Sequence, residues 1–233
     1  TVQIGDQCWM AENLSIGIII NGFYNQTNND IIEKYCYYND VAYCETLGGL
    51  YQWDEMMQYT MTEGSRGICP QGWHLPTDAE WTSLSDFLGG WNIAGGKMKE
   101  KGTNSWNQPN FGATNESGFT SLPGGGLQYY SSEKFWGIRN HSYSWSSTST
   151  GDDWAFQRGI GYSHAIIARS SFPKVNGLSV RCLKDSLQSD NSSIKFINTE
   201  QGIIKQNSLK KRNFSKSPKH FNFKGGKPAE AVY

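Results

Sequence analysis

A chain of 233 residues with 14% aromatic residues, 26 glycines and only 18% charged residues has room for one sizeable core plus an appendage, and its composition excludes a helical bundle. Its longest apolar run, "IGIIING", is far too short for the roughly 20 residues of a membrane-spanning helix. Net charge is zero, yet residues 1–185 hold 12 Lys/Arg against 18 Asp/Glu and residues 186–233 hold 9 against 3, so an acidic globule is followed by a basic tail.

In chain order, Val2 and Ile4 alternate with polar neighbours as a half-buried strand does, Gly5-Asp6 marks a turn, and "QCWM" resumes the strand. A polar loop, "NGFYNQTNND", leads into "YCYYNDVAYC", where Asn39-Asp40 supplies a turn between two aromatic-rich arms and brings Cys36 and Cys44 close. "GGLYQWDEMMQYT" places Leu50, Trp53 and Met57 on one helical face. In "GICPQGWHLPTDAEWTSL", Gly67 to Leu84, Pro76 keeps the two residues before it extended, and Thr77 with Glu80 forms a capping box. The helix it starts carries Trp81, Leu84 and Leu88 on one side and ends at Gly89-Gly90.

From about residue 117 the pattern changes to short strands punctuated by Gly and Ser: "GFTSLPGGG", "SYSWSSTS", "DWAFQRGIGYS", "HAIIARSS" and "GLSVRCLKD". Helices early and antiparallel strands late predict an α+β, loop-rich fold. Residues 186–233 are poor in large apolar side chains and rich in Ser, Asn and Lys. They read as a flexible or partner-dependent tail, with a short strand near "IKFI", able to dock to an acidic partner.

The chemistry-bearing residues are sparse. None of the five cysteines forms a CxxC pair and the four histidines are scattered singly, so zinc-ligand spacing is missing and disulfides are the better reading. The chain opens on Thr1, which reads as a processed product or a fragment, and the cysteines then point to an extracellular or cell-surface location. There is no nucleophile elbow, phosphate-cradling loop or HExxH helix, and no cofactor is expected. Asp78 and Glu80 have the chemistry of a general acid/base pair, but the capping box already explains them, and His74 with Trp73 and Trp81 is assigned to the core. Pro123 to His141 has a different character: Tyr129, Tyr130, Phe135 and Trp136 occur among Gly and Ser, with Lys134, Arg139 and His141 close by. Aromatics on adaptable loops suit sugar rings or a protein partner, so Tyr129, Tyr130, Phe135, Trp136, Arg139 and His141 form the predicted recognition surface. Nucleic acid is not an expected partner, because the folded part is acidic and carries no nucleic-acid module.

The ordered series "VQIGDQCWMAENL", "YCYYNDVAYC", "GGLYQWDEMMQY", "GICPQGWHLPTDAEWTSL", "ATNESGFTSLPGGG", "YSWSST" and "LSVRCLKD" resembles the Fibrobacter succinogenes major paralogous domain, a bacterial extracellular module, from Thr1 to about Asp185. Residues 186–233 have no counterpart in it, and members usually carry a little more strand before "VQIGDQ". The resemblance implies a C-type-lectin-like scaffold, shared with formylglycine-generating enzymes and with hypervariable phage and bacterial binding proteins. Cys69 and Cys182 match the family's two recurrent cysteine positions, which implies a bridge between them. A Cys36–Cys44 bridge would close a small loop. Cys8 is left over, read as a small buried hydrophobe beside Trp9 rather than a reactive thiol. Formylglycine-generating chemistry needs two close cysteines late in the chain, and only Cys182 lies there. Calcium-dependent lectins of this scaffold use a Glu-Pro-Asn or Gln-Pro-Asp loop with a downstream Trp-Asn-Asp. Gln108-Pro109-Asn110 matches the first in part and the second is absent, so no metal is expected. The expectation is a secreted, disulfide-stabilised, non-catalytic recognition or adhesion module for a surface glycan or cell-surface protein. A structural or assembly component of a cell surface or fibre, and a formylglycine-generating-type oxidase, are the alternatives.

Overall fold

A computed structural model of the chain describes residues 1–186. The expected basic tail and its strand near "IKFI" lie outside the described residues, apart from Ser186. In chain order the elements are β1 (Val2–Ile4), β2 (Gln7–Trp9), β3 (Ile18–Ile19), β4 (Glu33–Lys34), a 3-10 turn (Tyr37–Asn39), α1 (Val41–Leu47), β5 (Leu50–Tyr51), α2 (Trp53–Met56), β6 (Trp73–His74), α3 (Asp78–Phe87), α4 (Trp91–Met98), β7 (Gly124–Leu127), β8 (Phe135–Ile138), β9 (His141–Ser149), β10 (Trp154–Gly161), β11 (Ile167–Pro173), β12 (Leu178–Ser179) and β13 (Leu183–Lys184). This is a mixed α+β fold of short helices and mainly antiparallel sheets.

The β1–β2 hairpin pairs through β2 with β13, and β13 pairs with β6, all antiparallel, so the first and last described strands share one four-stranded sheet. The larger sheet runs β11-β10-β9-β12-β5, with β7 alongside β9 and β8 beyond it. It is not purely antiparallel as expected, because β9 meets both β12 and β7 in parallel, and a separate two-stranded sheet pairs β3 with β4 in parallel.

The sheets and helices enclose three apolar clusters. One gathers Trp53, Met56, Met57, Trp145, Leu178, Val180 and the Cys69–Cys182 bridge, and a second gathers Ile4, Trp9, Trp81, Leu84, Met98, Trp106, Phe119, Ile160 and Ile167. The third is smaller, built on Tyr35, Tyr37, Leu50 and Leu127. Trp9, Trp53, Trp81, Trp106 and Trp145 are all fully buried. Burying an indole is stabilising only when its N–H is satisfied. Here Trp53 donates to the carbonyl of Ser146, Trp81 to Trp145, Trp106 to Ser121 and Trp145 to Tyr51, while Trp9 donates to the Gln7 amide oxygen.

The capping box stands as expected: Thr77 Oγ1 accepts from the Glu80 backbone N–H at 3.1 Å and Glu80 Oε2 accepts from the Thr77 N–H at 2.8 Å. Both expected disulfides are present, Cys36–Cys44 with Cα atoms 5.1 Å apart and Cys69–Cys182 at 6.0 Å.

Four local expectations differ from the structure. The second arm of "YCYYNDVAYC" is helical, because the Asp40 carboxylate accepts the Ala42 N–H and caps α1. The helix expected over "GGLYQWDEMMQYT" shrinks to the single turn of α2: Leu50 and Tyr51 pair with β12 instead, and the left-handed Gln58 and Tyr59 prevent its continuation. The stretch around Phe135 and Trp136 is a strand, β8, rather than an adaptable loop. The helix α4 was not expected, since Gly95 and Gly96 inside it carry a propensity cost of ~1 kcal/mol each. Close packing explains them. A Cβ at Gly95 would lie 2.4 Å from the Ile166 carbonyl oxygen, and one at Gly96 would lie 2.4 Å from that of Gly112.

Candidate functional site

The site begins with strand register. Arg158 of β10 stands directly opposite Arg169 of β11, and alternation puts Phe156 and Ile160 on the same face as Arg158. Like charges opposite one another destabilise a sheet. Asp78, the first residue of α3, resolves the conflict: its Oδ1 accepts from Arg158 Nη1 at 2.6 Å and its Oδ2 from Arg169 Nε at 2.9 Å. A carboxylate in the first helical turn is also favoured by the helix dipole. Arg158 is buried and spends Nη2 on the Asp78 carbonyl and the Thr82 hydroxyl. Burial pushes its guanidinium pKa down, against the pull of Asp78.

Arg169 is held differently. Its guanidinium lies 3.6 Å from the centroid of the Phe156 ring and its Nε is fixed by Asp78, while Nη1 and Nη2 have no hydrogen-bond partner among the described residues. The side chain is about half exposed, at 49%. Stacking and the ion pair therefore orient a planar fork whose outer edge is open.

Gly89 and Gly90, both at φ near +100°, turn the chain out of α3 and start α4 at Trp91. The buried side of α4 is Ala94, Gly95, Gly96 and Met98, which leaves the Trp91 indole on the outside, 63% exposed. Trp91, Asp86, Thr82, the 166–168 backbone stretch, Arg158 and Arg169 line one cleft of about 460 Å³, within the usual range for ligand sites. A hollow of about 490 Å³ along Met10–Ser15 and Trp73 has Glu12 as its one charged side chain and no guanidinium.

The residues predicted from sequence do not converge on one surface. Tyr129 and Phe135 pack against the third apolar cluster, with Lys134 Nζ 4.6 Å from the Tyr129 ring centroid. Tyr130 stands at a loop tip, 79% exposed. Trp136, the neighbour of Phe135 on β8, turns to the opposite side and packs on Tyr143 at 4.4 Å, near His141 and Phe172. Arg139 is tied to Asn107 and the Asn104 carbonyl. Trp136 stays with His141, while Tyr129 stays with Phe135 at the third cluster and with Tyr130, whose ring centroid is 5.3 Å away. Sequence reasoning missed Trp91, Asp86 and Arg169. The available signal was Trp91 immediately after a glycine pair, where a helix had just ended.

Other expected residues are also resolved. His74 is not a core residue: Nε2 meets Glu80 Oε1 at 3.0 Å and Nδ1 meets Asp185 Oδ1 at 2.7 Å. Cys8, expected to be buried, is half-buried, and with His74 and Glu80 it borders a small depression. With both ring nitrogens engaged by carboxylates, His74 has no nitrogen left to accept a thiol proton. Cys182 is bonded to Cys69, so Cys8 is the one free cysteine. Asn110 is buried and its amide donates to the carbonyls of Glu100 and Gly102, so it braces its own loop. Among the described residues no three His, Cys, Asp or Glu side chains are grouped to hold a metal ion.

The His74 cluster predicts a pH response. The hydrogen bond to Glu80, then that to Asp185, raises the His74 pKa above its ordinary value, against burial. Burial alone would raise the Glu80 carboxyl, but the bonds from His74 and Thr77 outweigh it and the net shift is downward. The His74 contribution is complete below about pH 6.5 and is lost as pH rises through its folded value. The Glu80 contribution is complete above about pH 4.3 and is lost as pH falls through its depressed value. The melting temperature is therefore expected to decline above pH 6.5, and His74→Gln is expected to flatten that limb, as a pH series of thermal melts would reveal. Partial exposure keeps the effect modest.

No curated protein and no solved structure matches the chain. The family model described as the Fibrobacter succinogenes major domain matches residues 2–184. That span takes in every element among the described residues, and the chain belongs to the Fibrobacter succinogenes major domain family.

Proposed function

We propose that the chain is a non-catalytic recognition module of the bacterial surface or extracellular space, built on a C-type-lectin-like scaffold, and that it binds carbohydrate in the Trp91–Arg169 cleft. One observation carries this reading: an exposed indole and a guanidinium already fixed by Asp78 and Phe156 line the same concave site. Sugar rings present apolar C–H faces that stack on aromatic side chains and hydroxyls that need fixed polar partners, and preorganised groups bind without an ordering cost. Two disulfides support an oxidising compartment, and no helix among the described residues is long and apolar enough to cross a membrane.

The test is retention of the full oxidised chain on insoluble polysaccharides and isolated cell walls, beside Trp91→Ala, Tyr130→Ala and Trp136→Ala. Trp91→Ala is expected to weaken binding at least ~10-fold, about 1.4 kcal/mol, with an unchanged melting temperature. Loss of binding only in Tyr130→Ala or Trp136→Ala would move recognition to the 129–141 segment. The assembly reading is favoured by a different observation, the exposed Ile18, Ile19, Phe23, Tyr24 and Ile31 around the β3–β4 pair. Concentration-dependent self-association without retention on any polysaccharide would support it.

A further inference from the structure

The cleft has a charge pattern that specifies its ligand further, on the reading that it is a carbohydrate site. Asp78 is a single carboxylate shared by two guanidiniums, so the sheet end of the cleft keeps one unbalanced positive charge. That charge is directional, because the Nε side of Arg169 is taken and only its Nη pair faces outward. Asp86, which lines the cleft with Thr82, lies eight residues beyond Asp78 on α3, a rise of about 12 Å along the helix axis. The cleft is thus bipolar: a hydrogen-bond donor fork at one end, a carboxylate acceptor at the other, and the Trp91 indole exposed on the same cleft.

Neutral sugars would use the indole and Asp86, leaving the fork without a partner. A ligand that uses all three carries an anion at one end, hydroxyl donors at the other and a C–H face that can stack on an indole. Between carboxylate and sulfate esters, a planar carboxylate matches a guanidinium fork with two parallel N–H···O bonds. We propose that the cleft is a site for uronic-acid units of acidic polysaccharide, with Arg169 binding the carboxylate, Trp91 stacking on the ring and Asp86 accepting from the hydroxyls.

The experiment is calorimetric titration of the full chain with three probes of equal length: an oligogalacturonate, its methyl ester, which keeps the rings and removes the charge, and a sulfated oligogalactan. The acid is expected to bind at least ~10-fold tighter than the ester. Arg169→Gln is expected to bring that ratio close to one by weakening the acid far more than the ester, and Trp91→Ala to weaken both. Arg169→Lys, which keeps the charge but not the fork, is expected to bind the acid less tightly than wild type, and it guards against Arg169→Gln failing to fold. Equal affinity for acid and ester, or an acid-to-ester ratio unchanged in Arg169→Gln and Arg169→Lys, overturns the uronate assignment and leaves the carbohydrate reading standing. Tighter binding of the sulfated probe than of the acid overturns the choice of carboxylate. Failure of all three probes, together with no retention on any polysaccharide, overturns the carbohydrate reading itself.

Discussion

Replacing both Cys69 and Cys182 by alanine is expected to lower the free energy of unfolding by about 4–5 kcal/mol, because the bridge closes a separation of 113 residues and removes that much loop entropy from the unfolded chain. Total stabilities of single domains are only ~5–15 kcal/mol, so the variant should sit near the edge of folding. The bridge also lies inside the first apolar cluster and ties the segment before β6 to the segment between β12 and β13. Removing Cys36 and Cys44 in the same way is expected to cost about 2.5 kcal/mol, since that loop spans 8 residues. Denaturant unfolding of the two double variants beside wild type checks both values. Equal losses would mean that core packing around the sulfurs, and not loop length, sets the contribution.

Replacing Lys99 by methionine is expected to cost at least ~3 kcal/mol. Lys99 is fully buried at the end of α4, and its ammonium donates to the carbonyls of Phe111 at 2.8 Å, Gly161 at 3.0 Å and His164 at 2.9 Å. Its three N–H donors thus serve three backbone acceptors from two segments, Phe111 in one and Gly161 and His164 in the other, with the Trp106 ring 5.5 Å away. Burial pushes its pKa down to about 8. A methionine would fill most of the space while stranding three carbonyls, each costing about 1–3 kcal/mol when left unpaired. Gly161 and His164 precede the Ile166–Ala168 stretch that walls the cleft, so ligand affinity should fall with stability. Denaturant melts and a binding titration at the same temperature measure the two losses. A cost below ~1 kcal/mol would mean that water replaces the ammonium.

Where one local interaction decides the conformation, the sequence was readable. Thr77 and Glu80 cap α3 through contacts within four residues, and the Gly89-Gly90 pair can only end it, so this helix was legible to its boundaries. The β9–β10–β11 meander was legible because alternation in "DWAFQRGIGYS" and "HAIIARSS" is a local signal. Long-range packing was not legible. Gly95 and Gly96 look like a helix break until the carbonyls of Ile166 and Gly112, far along the chain or brought in by a loop, demand the missing side chains. How the predicted recognition residues are grouped in space was not legible for a related reason. Composition marked Phe135 and Trp136 together, but pairing with β7 makes them strand neighbours, and strand neighbours point to opposite faces. Arg158 and Arg169 lie 11 residues apart in sequence, and nothing local indicates that register sets them opposite one another with Asp78 between them.

Ligand engagement of the proposed Trp91–Arg169 cleft can be read from a ¹⁵N correlation spectrum of the full chain titrated with oligogalacturonate. Indole N–H signals from nine tryptophans fall in a separate region, and the Trp91→Ala spectrum identifies the one that matters. The Trp91 indole and Arg169 Nε–H signals are expected to shift together and saturate, while the indoles of the buried Trp9, Trp53, Trp81, Trp106 and Trp145 stay in place. A titration that moves the Trp136 signal and leaves Trp91 unchanged would contradict the account and place recognition on β8.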